Sequence, residues 1–144
     1  MTRLGVRKGD PLPTSAGSVH KANDLPDDLV RFSFRHLQIT GKFCLPEAVA
    51  KPEYLTILFD RFKQVCQMRM SEFRQAAKAL RSHAHDWPRT SEPAGYSHLS
   101  AQLQGCQPWQ FSLAREEYGR IHGILIDDVF YVVWIDHDHK MYPG

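Results

Sequence analysis

This chain lacks the features of a membrane or secreted protein. It has no run of roughly twenty consecutive apolar residues, the length that a membrane-spanning helix needs, and residues 1–25 lack the apolar core of a signal peptide. Its three cysteines are odd in number and far apart and include no CxxC pair, so neither a disulfide framework nor a thiolate zinc site is indicated. We therefore expect a cytoplasmic protein with reduced cysteines and no membrane partner.

Familiar catalytic motifs are also absent. The sequence contains no Gly-rich phosphate-binding loop and no GxSxG elbow. Its net charge of +2 is unevenly spread, since residues 31–92 carry eleven Lys or Arg against six Asp or Glu, and residues 93–144 carry three against six. A basic middle suits a polyanionic partner such as RNA, although the solvated faces of helices would give the same counts.

The chain divides into two regions of different composition. Residues 1–30 are rich in Pro and Gly with little apolar periodicity, and they are predicted to form a flexible arm. Residues 31–144 are predicted to form a single α+β domain, long enough to bury a substantial core. This domain begins with alternating polar and apolar residues typical of a strand, with Phe32 and Phe34 facing the core and Arg35 facing away.

A helical period follows this strand. From Tyr54 onward, apolar residues three and four positions apart predict a helix with one buried stripe made of Leu55, Leu58, Phe59, Phe62, Val65 and Cys66. Ser71 is the predicted N-cap of a second helix that reaches about Ser82, and the sequence does not decide whether the chain breaks near Met68–Met70. Residues 83–108 contain several Pro and Gly and are predicted to form a long loop, a kind of segment that often carries function.

Three consecutive strands are predicted to end the domain. The first, Trp109–Leu113, is followed by two apolar runs that flank Asp127-Asp128, a two-residue turn of the kind that joins antiparallel strands. With Ile126 opposite Val129, alternation predicts a core face made of Ile121, Gly123, Leu125, Phe130, Val132 and Trp134. The other face would carry Tyr118, Arg120, His122, Ile124, Tyr131, Val133, Ile135 and His137.

The order of these elements resembles a family of bacterial toxins. A strand, a helical pair and a three-stranded meander are similar to the RelE/ParE superfamily, including its YoeB-like and HigB-like branches. The resemblance is sharpest over Gly119–Gly123, which reads GRIHG, and from Trp134 to Tyr142. It implies a RelE-like sheet that binds mRNA in the ribosomal A site and cleaves it without metal or other cofactor, with a cognate antitoxin protein as partner. The chain departs from the family in its greater length, its acidic C-terminal third and the 83–108 loop.

Metal-free RNA cleavage needs a base for the 2′-hydroxyl, a cation for the phosphoryl oxygens and an acid for the leaving 5′-oxygen. Arg120 is the predicted phosphate-binding cation, and His122 or His137 would transfer protons, since imidazole titrates near a pKa of about 6.5. The residues expected to position substrate or assist as acids are His139, Lys140 and Tyr142. Those expected to bind RNA are Arg35, Arg61, Lys63 and Trp87.

Other functions fit the same residues. The pairs His83-x-His85 and His137-x-His139, with their neighbouring carboxylates, could gather zinc, manganese or iron for a metal-dependent hydrolase or nuclease. A non-catalytic module that binds RNA or protein through the same face is a third reading, and some relatives of the toxin family act on gyrase. Arg120 and His122 could also be ordinary solvent-exposed strand residues.

Overall fold

The computed structural model describes residues 28–76, 80–113 and 116–142, which form an α+β fold. Its strands are β1 (Arg31–Ser33), β2 (His83–Ala84), β3 (Gln107–Ser112), β4 (Arg120–Ile126) and β5 (Val129–Asp136). Its α-helices in these ranges are α1 (Leu45–Ala50), α2 (Tyr54–Cys66), α3 (Met70–Gln75) and α4 (Ala101–Gln104), and the 3₁₀ turns are Trp87–Arg89 and Glu116–Tyr118. The strands form one five-stranded mixed sheet in the spatial order β1-β5-β4-β3-β2.

The predicted C-terminal meander is present, because β3, β4 and β5 pair antiparallel in sequence order. Two strand pairings go beyond the prediction. Strand β1 runs parallel to β5, with Arg31 opposite Val129, and β2 adds a short edge strand beside β3. Residues 1–27 of the predicted arm lie outside the described residues.

The helix predicted from Tyr54 is confirmed as α2, but only three of the six residues of its predicted buried stripe are buried. The side chains that α2 buries against the sheet are those of Tyr54, Leu58, Phe62 and Val65. The predicted Leu55 and Phe59 are 49% and 61% exposed, and Cys66 is exposed as well. Apolar residues occupy two adjacent stripes of this helix, and Tyr54 completes the stripe that faces the sheet.

The chain does break between α2 and α3. The segment that precedes β1 occupies the break, with the Val30 N–H donating to the Met68 carbonyl at 2.9 Å and Leu29 bridging to Arg69. Helix α3 begins at Met70, and its capping acceptor is the Glu72 carboxylate, which takes the Arg69 N–H at 2.8 Å. The prediction of Ser71 as N-cap was therefore wrong, because the cap comes from a carboxylate inside the first turn.

Strand β1 is shorter than predicted. It ends at Ser33, and the next residues turn, with the Leu37 N–H donating to the Phe34 carbonyl at 3.1 Å. Phe32 packs against the core as predicted, whereas Phe34 is 48% exposed. Phe34 nevertheless lies on the predicted side of the sheet, since its ring meets the core ring of Phe62 edge-on, with centroids 5.7 Å apart.

An apolar core fills the space between the helices and one face of the sheet. Trp109, Phe111 and Leu113 point into it, as predicted. The Phe111 ring meets the rings of Phe73 and Phe130 edge-on, with centroids 5.6 and 5.2 Å apart. Edge-on aromatic pairs add about 0.5–1.5 kcal/mol each beyond the burial of their area. We call this side of the sheet the helix-covered face.

The opposite side of the sheet, the loop-covered face, is closed mainly by irregular chain. Its buried cluster consists of Phe43, Tyr96, Ile124, Val133, Trp134 and Met141. The segment predicted as a long loop supplies much of the cover, and the Tyr96 hydroxyl donates to the Gly123 carbonyl at 2.9 Å. Loops of this kind lie over a rigid scaffold and carry functional groups at disproportionate frequency.

A bulge in the hairpin decides which side chains reach the loop-covered face. The two-residue turn is confirmed, with Ile126 opposite Val129, but the register shifts between His122 and Gly123, so that His122 pairs with Trp134. A Cβ atom at position 123 would lie 2.1 Å from a strand β5 carbonyl oxygen, which only glycine avoids. The predicted faces of Trp134 and Ile135 were therefore wrong, because an extra β5 residue exchanges them.

Candidate active site

Polar side chains form a row across the loop-covered face. His122 on β4 pairs with Gln110 on β3, which in turn pairs with His83 on β2. Residues directly opposite each other on neighbouring strands project to the same face. The bulge places Asp136 on this face, where the sequence had predicted His137. The β5 side chain that hydrogen-bonds to His122 is thus the carboxylate of Asp136 instead of the imidazole of His137.

A chain of hydrogen bonds runs outward from this carboxylate. Asp136 Oδ2 lies 3.3 Å from His122 Nε2, and His122 Nδ1 lies 3.1 Å from His85 Nε2. His85 Nδ1 lies 3.2 Å from the Tyr142 hydroxyl oxygen, which also accepts the Asp86 backbone N–H at 3.2 Å. We call this path Asp136–His122–His85–Tyr142 the imidazole chain.

The inner end of the imidazole chain fixes the protons on its first ring. Asp136 accepts the backbone N–H groups of Lys140 and Met141, each at 2.7 Å, and an acceptor used in this way is an ionised carboxylate. His122 therefore donates to Asp136 from Nε2. Its Nδ1 is then the acceptor for the Nε2–H of His85.

At the outer end of the imidazole chain, the protons are donated in the same direction. Because the Tyr142 oxygen accepts the Asp86 N–H, its hydroxyl proton is available to His85. The Tyr142 O–H then donates to His85 Nδ1, the nitrogen that carries no proton in this tautomer. Every side-chain proton of the imidazole chain is donated toward Asp136.

The electrostatics agree with two neutral rings and one ionised carboxylate. Burial and the neighbouring histidines lower the pKa of His85 to about 2. Burial also lowers the pKa of His122, although the hydrogen bond to Asp136 opposes this effect. For Asp136 burial acts to raise the pKa, but the hydrogen bonds from His122 and from two backbone N–H groups leave it below its usual value. At neutral pH only Asp136 is charged in this chain.

Arg120 supplies a cation near the inner end. It lies opposite Asp136 in the β4–β5 ladder and is buried, so the reading of Arg120 and His122 as solvent-exposed strand residues was wrong. Burial and the nearby Arg81 lower the pKa of the Arg120 guanidinium. Arg81 itself is exposed. The cation predicted to touch phosphate is therefore buried, and the exposed Arg81 is close enough to affect its pKa.

His83 forms the exposed border of the site. Its Nδ1 lies 2.8 Å from the Ala84 carbonyl, and its Nε2 lies 2.8 Å from the Gln110 side-chain nitrogen. The carbonyl can only accept, so Nδ1 carries the proton and Nε2 accepts from Gln110. The His83 ring also meets the Tyr142 ring edge-on, with centroids 5.6 Å apart. His83 is therefore held in place next to the outer end of the imidazole chain.

The fold places the predicted RNA-binding residues on different sides of the sheet. Trp87 lies in the site, where its ring stacks on His85 with centroids 4.6 Å apart and planes inclined by 26°. Arg61 and Lys63 lie on α2, across the sheet, and the Arg61 guanidinium donates to Gln64 at 2.8 Å. Arg35 is exposed in the segment after β1. The structure brings Trp87 to the imidazole chain and leaves the helix cations away from it.

Some of the residues after β5 lie in the imidazole chain, and others lie outside it. The His137 ring is buried outside the imidazole chain, and its backbone carbonyl accepts the Lys51 ammonium at 2.5 Å. His139 has a positive φ of 59° and lies close enough to His122 to lower the pKa of that ring. The Lys140 ammonium is directed to Asp138, 3.7 Å away. Of the C-terminal residues predicted as catalytic, only Tyr142 contributes its side chain to the imidazole chain.

Two central residues were not assigned to proton transfer from the sequence. His85 and Asp136 entered only the metal-binding reading, as parts of the two His-rich segments. Their shared signal was the clustering of His and Asp in segments far apart in sequence. Within the ranges that the structure describes, no three His, Cys, Asp or Glu side chains are placed to hold a metal ion.

Comparison with known proteins adds no identification, because no protein-family model, curated protein or solved structure matches this chain. In the described part of the chain, no helix combines the length and apolar character needed to cross a membrane.

Proposed function

We propose that this protein is a RelE-like endoribonuclease that cleaves mRNA by acid–base catalysis without a metal. The observation that carries this proposal is the imidazole chain, which leads from buried Asp136 to the partly buried His85 and Tyr142. His85 takes the proton-transfer role that the sequence suggested for His122 or His137. His122 is buried and acts as a positioning residue, holding His85 in one tautomer.

The reaction we propose is an internal transesterification of RNA. The 2′-hydroxyl replaces the Tyr142 hydroxyl as donor to His85 Nδ1, and that nitrogen takes the proton as the 2′-oxygen attacks phosphorus. The bond from phosphorus to the 5′-oxygen breaks, and Tyr142 donates its proton to this leaving oxygen. The products are a 2′,3′-cyclic phosphate and a free 5′-hydroxyl. Return of the proton from His85 to the Tyr142 oxygen restores the starting state.

The charge that develops on phosphorus needs cations. Exposed Arg81 and Lys140 are suited to direct phosphate contact, and buried Arg120 adds a fixed positive charge behind them. The proton on His85 makes that ring cationic, a form that burial and the neighbouring histidines disfavour in the free protein. In the complex, its Nε2–H still donates to His122, and the negative charge of the bound phosphate offsets the cost of charging the ring.

The RelE-like assignment rests on the meander and on the Arg and His residues of β4. Strand β2 and the covering loop are additions to the family's pattern of strand, helical pair and meander, and they supply His83 and His85. The proposed substrate is mRNA on the ribosome. The proposed protein partner is a cognate antitoxin that prevents this cleavage.

The test is a cleavage assay on mRNA bound to purified ribosomes and on the same mRNA free in solution, each with and without EDTA. We expect EDTA-resistant cleavage that ends in a 2′,3′-cyclic phosphate and disappears when the nucleotide 5′ to the scissile phosphate is 2′-deoxy. EDTA would also perturb ribosomes, so the chelator arm uses short exposure with Mg²⁺ restored before the reaction.

Each alternative function has its own outcome in this assay. Cleavage that is lost with chelator and restored specifically by zinc, manganese or iron would establish the metal-dependent hydrolase instead. Tight RNA binding without cleavage on either substrate would establish the non-catalytic module. A 2′-deoxy substrate cut at the normal rate would exclude the 2′-hydroxyl mechanism.

A further inference from the structure

A pocket opens on the loop-covered face next to the imidazole chain. It has a volume of about 220 Å³, and the residues that line it include Gln38, Lys42, Phe43, Glu92, His98 and Trp134. Pockets for drug-sized ligands span about 300–1,000 Å³, so this one suits a single planar ring system. None of these six residues takes part in the proton transfers proposed above.

The pocket shares two walls with the candidate active site. Trp134 lies opposite His122 in the β4–β5 ladder, and the Phe43 ring centroid lies 6.1 Å from that of His122. Phe43 and Trp134 are themselves in contact, with centroids 4.8 Å apart. Phe43 and Trp134 therefore separate the pocket from the His122 ring of the imidazole chain.

Aromatic groups frame the pocket. The exposed His98 ring lies nearly parallel to Trp134, with an angle of 24° between the planes and centroids 5.8 Å apart. Partial burial and the nearby His36 lower the pKa of His98. Single-stranded nucleic acids are commonly bound by stacking their bases on such aromatic platforms.

Polar groups at the pocket have fixed roles. The Trp134 indole N–H donates to Gln38 Oε1 at 2.5 Å, which orients the amide and leaves its Nε2 as a hydrogen-bond donor. Glu92 is held at the same pocket by an ion pair with Lys42 at 2.7 Å. The pocket therefore presents a carboxylate acceptor together with amide and ammonium donors.

We propose that this pocket binds a guanine base of the RNA strand that is cut next to it. Guanine carries two donors, N1–H and the 2-amino group, beside one acceptor, O6. A carboxylate can accept both donors at once, and the Gln38 amide or the Lys42 ammonium can donate to O6. Adenine and cytosine reverse this pattern and would place their amino group against the donors. The proposal rests on the proposed function for its substrate, RNA, and adds the base that the site selects.

The test measures binding and cleavage separately. Binding uses 2′-O-methyl uridine hexamers, which cannot be cut, with one central guanine, inosine, adenine or cytosine, followed by tryptophan fluorescence up to millimolar concentration. We expect the guanine hexamer to bind about tenfold to a hundredfold more tightly than the adenine hexamer. Inosine, which lacks the 2-amino group, should fall between them.

Variants separate edge recognition from stacking. Glu92→Gln should abolish the preference for guanine, and the matched control Glu47→Gln, on the exposed side of α1, should retain it. His98→Ala should weaken all four hexamers by similar factors, since stacking tolerates every base. Equal binding of all four hexamers, no measurable binding of any, or an unchanged preference in Glu92→Gln would overturn the proposal.

The same experiment distinguishes this inference from the proposed function. Selective binding of the guanine hexamer by a protein that cuts no RNA would uphold the pocket and refute the nuclease. Cleavage of ribosome-bound mRNA with no preference for guanine around the cut would uphold the nuclease and refute the pocket. Cleavage next to guanine that becomes indifferent in Glu92→Gln would support both.

Discussion

The two faces of the sheet bury side chains of different kinds. The helix-covered face is filled by aromatic rings such as those of Phe111 and Phe130 and by aliphatic side chains such as that of Val132. The loop-covered face buries His122 and Asp136 among aromatic rings. Burying a charge is costly unless hydrogen bonds compensate for the lost water, and Asp136 receives such bonds from one ring and two backbone groups. One face therefore stabilises the domain, and the other retains polar groups at a cost in stability.

The covers differ as well. Helices satisfy their own backbone, so α2 and α3 can present apolar side chains alone. The loop over the other face needs side-chain partners for its backbone, and the Thr90 hydroxyl, for example, accepts the Glu92 N–H at 3.0 Å. A loop that covers the sheet in this way places polar groups next to the buried apolar cluster. That arrangement allows proton transfer at the boundary between the core and water.

The largest expected effect tests the stabilising role of the helix-covered face. Phe111→Ala should lower the free energy of unfolding by about 3–5 kcal/mol, because it removes a buried ring and leaves a cavity. Urea unfolding followed by circular dichroism measures the change. The control Phe59→Ala removes an exposed ring and should change stability by no more than about 0.5 kcal/mol. Similar losses in both variants would contradict the assignment of the core.

The next effect tests the chemical role of the loop-covered face. His85→Ala should lower kcat/KM for ribosome-bound mRNA by about 10²–10⁴-fold, the contribution of one proton-transferring group. The fold should persist, because His85 is only partly buried. His36→Gln, on the segment after β1, is the matched control and should leave the rate unchanged. Full activity in His85→Ala would remove this residue from the mechanism.

A smaller effect tests the bulge that separates the two faces. Gly123→Ala places a Cβ against a strand β5 backbone carbonyl and should destabilise the domain by about 1–3 kcal/mol, the usual cost of overpacking. Because the bulge also brings Asp136 to His122, cleavage should fall at temperatures where the variant is still folded. Gly105→Ala, where the nearest contact is 3.5 Å away, serves as control. A neutral Gly123→Ala would show that the bulge tolerates a side chain.

The last prediction concerns the pH dependence of stability. The folded pKa of His85 and of His122 lies below the unfolded value of about 6.5, so the unfolded chain binds more protons below that pH. Stability should be full above about pH 6.5 and should fall on acidification by at most about 1.4 kcal/mol per pH unit for each ring. Asp136, whose folded pKa is also lowered, should add a further loss below about pH 4. Urea midpoints between about pH 7.5 and 3 measure both losses, and His85→Gln should flatten the part of the curve that lies above about pH 4. An identical curve for this variant would contradict the shift assigned to His85.

Local patterns in the sequence predicted much of the helix-covered face. The spacing of Leu58, Phe62 and Val65 placed α2, and the alternation of Trp109 and Phe111 placed β3. Both patterns report directly on burial. They did not distinguish the buried stripe of α2 from the exposed one beside it, because the choice depends on which strand lies opposite.

The loop-covered face was less predictable. The alternation of side chains predicted that His122 and Arg120 share one face of β4. It could not predict the extra residue in β5, which brings Asp136 instead of His137 to that face. The bulge depends on Gly123 meeting a carbonyl of the neighbouring strand, a contact between residues distant in sequence. His85 comes from a loop whose course over the sheet no periodicity encodes.

The parallel pairing of β1 with β5 has a consequence for how the chain folds as it is made. Residue 31 leaves the ribosome long before its partner at residue 129, and α2 emerges without the strands that cover its apolar stripe. Contacts between such distant residues slow folding and leave apolar surface open to association with other chains. We expect nascent chains that stop before β5 to bind chaperones, whereas chains that include β5 can close the sheet by placing it between β1 and β4.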